Sequence, residues 1–314
     1  MSRSAPATLI GVSDSVPEAR LRFVTGKGGV GKTTVAAAYA TLAATHGRRV
    51  LAVDTVNRGD LAPRIEVVSG RLGGPGPTVL GLTTKQALDE YIKRYLRVPI
   101  APSSLGPVSR IFDFVSTAAP GVREILTVGK IGYEAVYGPW DDVVVDAPAS
   151  GHVIELLSAP ASLRRLAPTG PLASQTLWLQ ELLESDRTAI TVVATPEELP
   201  VAETDQLLKR LRDETEVAVD TLVINRVPPQ VEKVGRALLA GKAPASDDGP
   251  TARSIRSLVA VAVDRDVTTR PFVEELNELA EAFGLAVVEI IDDPVNPTDT
   301  AAAALADHGS LAAA

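Results

Sequence analysis

The stretch Gly26-Lys27-Gly28-Gly29-Val30-Gly31-Lys32-Thr33-Thr34 constrains this chain more than any other feature, because it fits a glycine-rich phosphate loop in the context such a loop requires. The aliphatic run Leu21-Arg22-Phe23-Val24 leads in as a strand, and Thr33-Thr34-Val35-Ala36-Ala37-Ala38-Tyr39-Ala40 leads out as a helix. Glycines let successive backbone N–H groups turn inward around phosphate oxygens, where a Cβ would obstruct the turn. The helix N-terminus adds its positive dipole end. On this pattern Lys32 contacts the β- and γ-phosphates and the Thr33 hydroxyl ligates Mg²⁺, while Gly28, Gly29, Val30, Gly31 and Thr34 complete the cradle. ATP with Mg²⁺ is the expected ligand.

The rest of the chain supplies a matching fold. Short aliphatic runs recur at 21–24, 49–53, 79–82, 143–145, 189–193, 222–224 and 285–291, with helix-length segments between them. Continuous β-branched runs without polar alternation suit strands buried on both faces. Their alternation with helical patterns predicts an α/β fold: a doubly wound, mainly parallel sheet flanked by helices, the P-loop architecture. Thr84 to Leu96 places Leu88, Ile92, Tyr95 and Leu96 on one helical face, a packing face or a client face. The expected organisation is a disordered N-terminus at 1–19, one ATPase domain at 20–293 with a small helical insertion at about 84–138, and a flexible, alanine-rich tail at 294–314.

Composition removes several functions. The net charge of -8 speaks against a general affinity for nucleic acid, and the pairs Arg48-Arg49 and Arg164-Arg165 read as solvated element ends. With no cysteine, thiolate-bound metal, disulfides and a cysteine nucleophile are all out of reach. The first twenty residues hold no long apolar run, and no stretch approaches 18 uninterrupted apolar residues, so a cytoplasmic location is expected.

The second lysine of the loop, Lys27, sharpens the classification. GKGGVGKTT is the deviant form of the phosphate loop, and it resembles the family containing ArsA, the guided-entry ATPases for tail-anchored proteins, MinD, ParA and the nitrogenase iron protein. The resemblance implies that Lys27 reaches phosphates across a nucleotide-sandwiching dimer and stabilises transition-state charge in trans; the plainer reading is a surface lysine on a flexible loop. Asp141 to His152, DDVVVDAPASGH, reads as a strand ending in an aspartate, where Asp146 can orient a Mg²⁺-bound water. It is similar to the switch motif of the ArsA and guided-entry branch, usually Asp-Thr-Ala-Pro-Thr-Gly-His. That likeness gives His152 a switch role rather than base catalysis. Asn225 ends the run Thr221-Leu222-Val223-Ile224 and by itself reads as a turn residue; the resemblance implies a contact with adenine.

The chain also departs from that family. The guided-entry ATPases carry Asp-Pro-Ala-His after the strand that ends here at Asp54, and the place of the water-positioning aspartate falls on Val56. A valine can neither orient water nor accept a proton. Asp54 lies two positions earlier and substitutes only if the loop is reset; Asp60, four beyond Val56, falls where the nitrogenase iron protein has a second aspartate near Mg²⁺, so the resemblance implies a place in the metal shell, and the plainer reading of either residue is a strand-end or helix-cap carboxylate. Zero cysteines remove an arsenite thiolate site and a Cys-x-x-Cys zinc clip, and Met1, the single methionine, removes a methionine-lined groove. The segments Pro120–Glu124, Gly129-Lys130-Ile131, Asp146-Ala147-Pro148 and Glu198–Thr204 resemble an actinobacterial pair of ArsA-like ATPases. This implies a homodimer or a heterodimer with a paralogous ATPase, acting on a hydrophobic or membrane-protein client.

Overall fold

The computed structural model describes residues 20–56, 59–73, 75–83, 121–166, 171–240 and 250–308. Within them lie seven strands, β1 (Arg20–Gly26), β2 (Val50–Asp54), β3 (Thr78–Gly81), β4 (Asp142–Asp146), β5 (Thr188–Ala194), β6 (Ala218–Val227) and β7 (Ala286–Ile291). They form one sheet in the order β3-β2-β4-β1-β5-β6-β7, and every neighbouring pair is parallel. The described helices are α1 (Lys32–Thr45), α2 (Leu61–Leu72), α3 (Val122–Tyr137), α4 (Ser150–Leu166), α5 (Pro171–Glu184), α6 (Glu198–Glu214), α7 (Glu232–Leu239), α8 (Pro250–Phe283) and α9 (Pro297–Asp307). Each aliphatic run of the sequence lies in one of these strands to within a residue at its ends, and the expected doubly wound α/β fold is what forms.

Burial on both faces explains the continuous runs. On one face Leu21, Phe23, Val143 and Val145 pack under α3, α4, α5, α6 and the C-terminal half of α8. On the other, Val24, Val144, Val193 and Val223 meet α1, α2 and α9. The exception inside β1, Arg22, is satisfied rather than misplaced: it forks onto Asp220 at 2.8 Å and lies over the Tyr39 ring at 5.1 Å. Arg48 and Arg49 are not merely solvated ends either. Arg48 pairs with Asp142 and Arg49 with Asp141, the latter at 2.6 Å, which ties the entry of β2 to that of β4. The Arg49 side chain, helped by its own backbone N–H, holds the Asp141 carboxyl down to about 2.

The tail corrects the sequence reading. Residues from 294 onward read as flexible because alanine promises little burial, yet Pro297–Asp307 is a helix with Thr298, Ala301, Ala302 and Leu305 buried. Its partner α1 is itself buried from Thr34 through Ala44 and rich in alanine, so two small-residue faces approach closely. Asp293 fixes the entry by accepting from the Val295 and Asn296 amides and from the Thr300 hydroxyl, and Arg71 of α2 pairs with Asp299. The expected N-terminus at 1–19, the amphipathic segment 84–96 and the insertion as far as 120 lie outside the described residues. Among those described, no helix is long and apolar enough to cross a membrane.

The topology fixes where a ligand can sit. The chain passes from β1 outward to β2 on one side, and after β4 it crosses to β5 on the other, leaving β1 between β4 and β5. Connections diverge at that point, and a crevice opens at the carboxyl ends of the strands. The glycine loop follows β1, and Asp146 ends β4.

Candidate nucleotide-binding site

Two glycines show why the loop has its composition. Gly26 closes β1 at φ +146°, where an added Cβ would lie 2.1 Å from the Val193 carbonyl oxygen of β5. Gly31 precedes α1 at φ +99°, where a Cβ would lie 2.2 Å from Asn225 Nδ2. Neither position tolerates a side chain. The expected cost of Gly31→Ala is about 1–3 kcal/mol of strain together with at least a tenfold loss of nucleotide affinity, read by thermal melting and calorimetry.

The structure brings Lys32, Thr33, Asp146 and Asp54 together. Lys32 Nζ donates to the Lys27 carbonyl at 2.9 Å, folding its ammonium back over the loop. Thr33 Oγ1 donates to Asp146 Oδ2 at 2.7 Å. Asp146 Oδ1 is buried and, among the described residues, has no hydrogen-bond partner. Asp54 sits beside it, because β2 and β4 pair with Asp54 opposite Asp146. Burial, together with the neighbouring Asp54, pushes the Asp146 carboxyl up to about 6 against the pull of Thr33, Lys32 and Arg64. A buried carboxylate oxygen without a donor, next to a hydroxyl at a phosphate loop, is a hard-oxygen pair that fits Mg²⁺ with most of its shell left to phosphate and water.

Neighbouring strand ends lock this centre. Thr55 Oγ1 donates to the Asp146 carbonyl at 2.6 Å, Thr25 Oγ1 donates to the Pro148 carbonyl at 2.9 Å, and the Ala147 amide donates to the Val24 carbonyl at 3.0 Å. The segments that follow β2 and β4 are therefore tied to each other and to the root of the phosphate loop. Asp54 Oδ1 accepts from the Val56 amide at 3.0 Å, so part of this carboxylate shapes the turn in which Val56 stands 41% exposed.

Other expected residues lie at the rim or underneath. Asp60 is exposed at the entry to α2 and makes no side-chain cap to that helix. Asn225 is buried beneath the loop, where Nδ2 donates to the Val30 carbonyl at 2.8 Å. A shift of register between Ile224 and Val227, with Arg226 at φ 60°, accompanies that placement. His152 faces solvent and meets Glu155 at 3.1 Å. Gly28 and Gly29 have open space where a Cβ would go.

Two residues escaped the sequence reading. Arg64 of α2 donates to Thr34 Oγ1 at 3.2 Å and acts electrostatically on Asp146; its place four residues beyond Asp60 was the one available signal. Glu203 of α6 holds Lys27 Nζ at 2.5 Å. That contact joins positions 176 residues apart, a distance no local pattern bridges.

A glycine loop between β1 and α1, at the switch point of a parallel sheet and beside a strand-end aspartate, defines a P-loop nucleotide-binding domain. The chain belongs to the CobQ/CobB/MinD/ParA nucleotide binding domain family, whose model matches residues 21–291. It is similar to ATPase BagA of Mycobacterium tuberculosis, 31% identical over 246 residues that cover 73% of this chain and 72% of the relative. It is also similar to a putative arsenical pump-driving ATPase 2 of Aquifex aeolicus, 26% identical with 67% and 81% covered. ATPase GET3C of Arabidopsis thaliana is 25% identical with 69% of each chain covered. These relatives bear out the resemblance to the ArsA and guided-entry ATPases, mycobacterial members included.

Proposed function

We propose that this chain is an ATP- and Mg²⁺-dependent ATPase working as a nucleotide-switched dimer that couples its nucleotide state to a protein or membrane-associated client. The observation that carries the reading is the Thr33–Asp146 junction at the mouth of the phosphate loop, with Asp146 Oδ1 buried and without a partner. Bound there, Mg²⁺ supplies charge neutralisation on the phosphates. Thr33 would hold it directly and Asp146 through the water it orients, with Asp60 at the outer shell. Lys32 exchanges the Lys27 carbonyl for phosphate oxygen, and the backbone of Gly28 to Thr34 closes around the anion. Asn225, whose Nδ2 supports the loop, keeps its oxygen for the amino group of adenine. Lys27 serves the phosphates of a second copy or of a paralogue. A surface for such a partner or client is available where Val234, Leu238, Ile255, Leu258 and Val261 stand exposed on α7 and α8. The test is Mg²⁺-dependent ATP turnover by the purified chain at increasing protein concentration: specific activity that rises with concentration supports the dimer, and concentration-independent turnover removes it.

Val56 favours a second reading, in which the chain holds ATP as the regulatory half of a heterodimer and a paralogous ATPase performs hydrolysis. The side chain is exposed at the turn after β2 and brings no polar atom to water. Val56→Asp is expected to raise turnover tenfold or more if the rest of the site is competent. An unchanged rate, with synergy on mixing with a paralogue, is the result that favours the regulatory subunit.

A further inference from the structure

Lys27 does not wait free in solution. Its ammonium is bound by Glu203, one turn inside α6, at 2.5 Å, with the two side chains 30% and 41% exposed. Helix α6 is set rigidly against the core: Pro200, Val201, Thr204, Leu207, Leu208 and Leu211 form its buried face at helical spacing. Glu203 adjoins that face, and its carboxylate is therefore a fixed point on the nucleotide side of the sheet. One turn earlier Leu199 is 68% exposed, so the same short surface offers an unburied leucine beside the paired lysine.

We propose that Glu203 is the positioning residue for Lys27: it holds the lysine on its own chain until the phosphates of a nucleotide on a second copy take the ammonium over. This rests on the reading of Lys27 as a group that acts in trans. The exchange is one anion for another. Glu203 offers a single carboxylate in a half-exposed pair, which is a weak hold, whereas the polyphosphate of bound ATP offers several oxygens and more negative charge in a site shielded by closure. Transfer therefore follows nucleotide occupancy of the facing chain, and two such transfers accompany one closure of a symmetric pair. Leu199 is covered at the same step.

The experiment is ATP-analogue-dependent self-association, measured by sedimentation with Mg²⁺ and a non-hydrolysable ATP analogue. Glu203→Gln removes the competing anion from both chains. With each exposed pair worth about 0.2–1 kcal/mol, association is expected to tighten between about twofold and thirtyfold. Glu203→Asp, which keeps the charge and withdraws it by one methylene, is expected to fall between wild type and Glu203→Gln. In a Lys27→Ala background Glu203→Gln is expected to change nothing, a result that a structural role for Glu203 in α6 does not give. An independent readout needs no association: in the nucleotide-free chain Glu203→Gln is expected to speed reductive methylation of the Lys27 amine severalfold. Wild-type association with unchanged or weaker association of Glu203→Gln overturns this inference alone. Failure of the wild type to associate with nucleotide overturns the dimer reading, and this one with it.

Discussion

Replacing Asp146 by asparagine is expected to stop ATP turnover and, in the same protein stripped of metal and nucleotide, to raise the melting temperature at pH 8. The first effect follows from the role proposed for this carboxylate, orienting water in the metal shell, and is expected to be at least a hundredfold in rate. The second follows from burial. The folded, ligand-free chain holds the Asp146 proton up to about pH 6, whereas the unfolded chain releases it near the ordinary carboxylate value of about 4. A carboxyl raised on folding binds its proton more tightly in the native state. As pH climbs through the window from about 4 to about 6, the unfolded chain therefore gains relative to the native one, and stability falls. Above that window the native state carries a burdened anion, on the order of 2–3 kcal/mol at this shift. Asparagine keeps an oxygen for the Thr33 hydroxyl and has no charge to desolvate. The gain is a few degrees at pH 8, at about 2–4 °C per kcal/mol for a domain of this size, and it vanishes at pH 4. Adding Mg²⁺ and ATP is expected to reverse the order, because ligand binding stabilises wild type far more than the variant. Melting curves at the two pH values in a chelating buffer check the sign. A variant less stable than wild type at pH 8 would falsify the account of Asp146 as a desolvated anion awaiting a cation.

The sequence made the sheet legible because each strand is buried on both faces and so reads as an unbroken aliphatic run. Val143-Val144-Val145 is the plainest case, since alternate residues enter different cores. It made the phosphate loop legible for a different reason: Gly26 and Gly31 answer to steric demands that no other residue meets, so the pattern is forced. What stayed hidden was set by distant contacts. The helix at Pro297–Asp307 looked like a tail because alanine gives little hydrophobic signal, and it becomes a core element by facing the alanines of α1. Arg64 stood in no motif, and Glu203, though within the Glu198–Thr204 segment, gave no sign of its partner, since each acts through a residue reached by folding. The support that Asn225 Nδ2 gives the loop at Val30 was hidden too, since it accompanies a shift of register that propensity does not encode.

Lys27→Ala is expected to lower turnover by about a thousandfold or more, the range measured for charged groups supplied across an interface in phosphoryl transfer. Stability and ATP binding by the isolated chain should hardly change. The Lys27 side chain meets Glu203, in a pair exposed enough to contribute about 1 kcal/mol or less, and the loop backbone that cradles phosphate does not depend on it. Lys32→Ala is the contrasting control, since it removes the ammonium folded over the loop itself and is expected to abolish binding. Loss of turnover alone does not prove action in trans, but mixing two dead variants does. In a pairing of Lys27→Ala with Asp146→Asn, the site on the Lys27→Ala chain keeps its own Asp146 and receives Lys27 from its neighbour, while the other site lacks both. If the lysine crosses the interface, an equimolar mixture forms mixed pairs in about half of all dimers, each with one working site, and recovers about a quarter of wild-type activity. If the lysine serves its own chain, each chain of the mixed pair still carries a defective site and the mixture stays inactive. Recovery near a quarter, against none, decides whether the loop is completed by a second subunit.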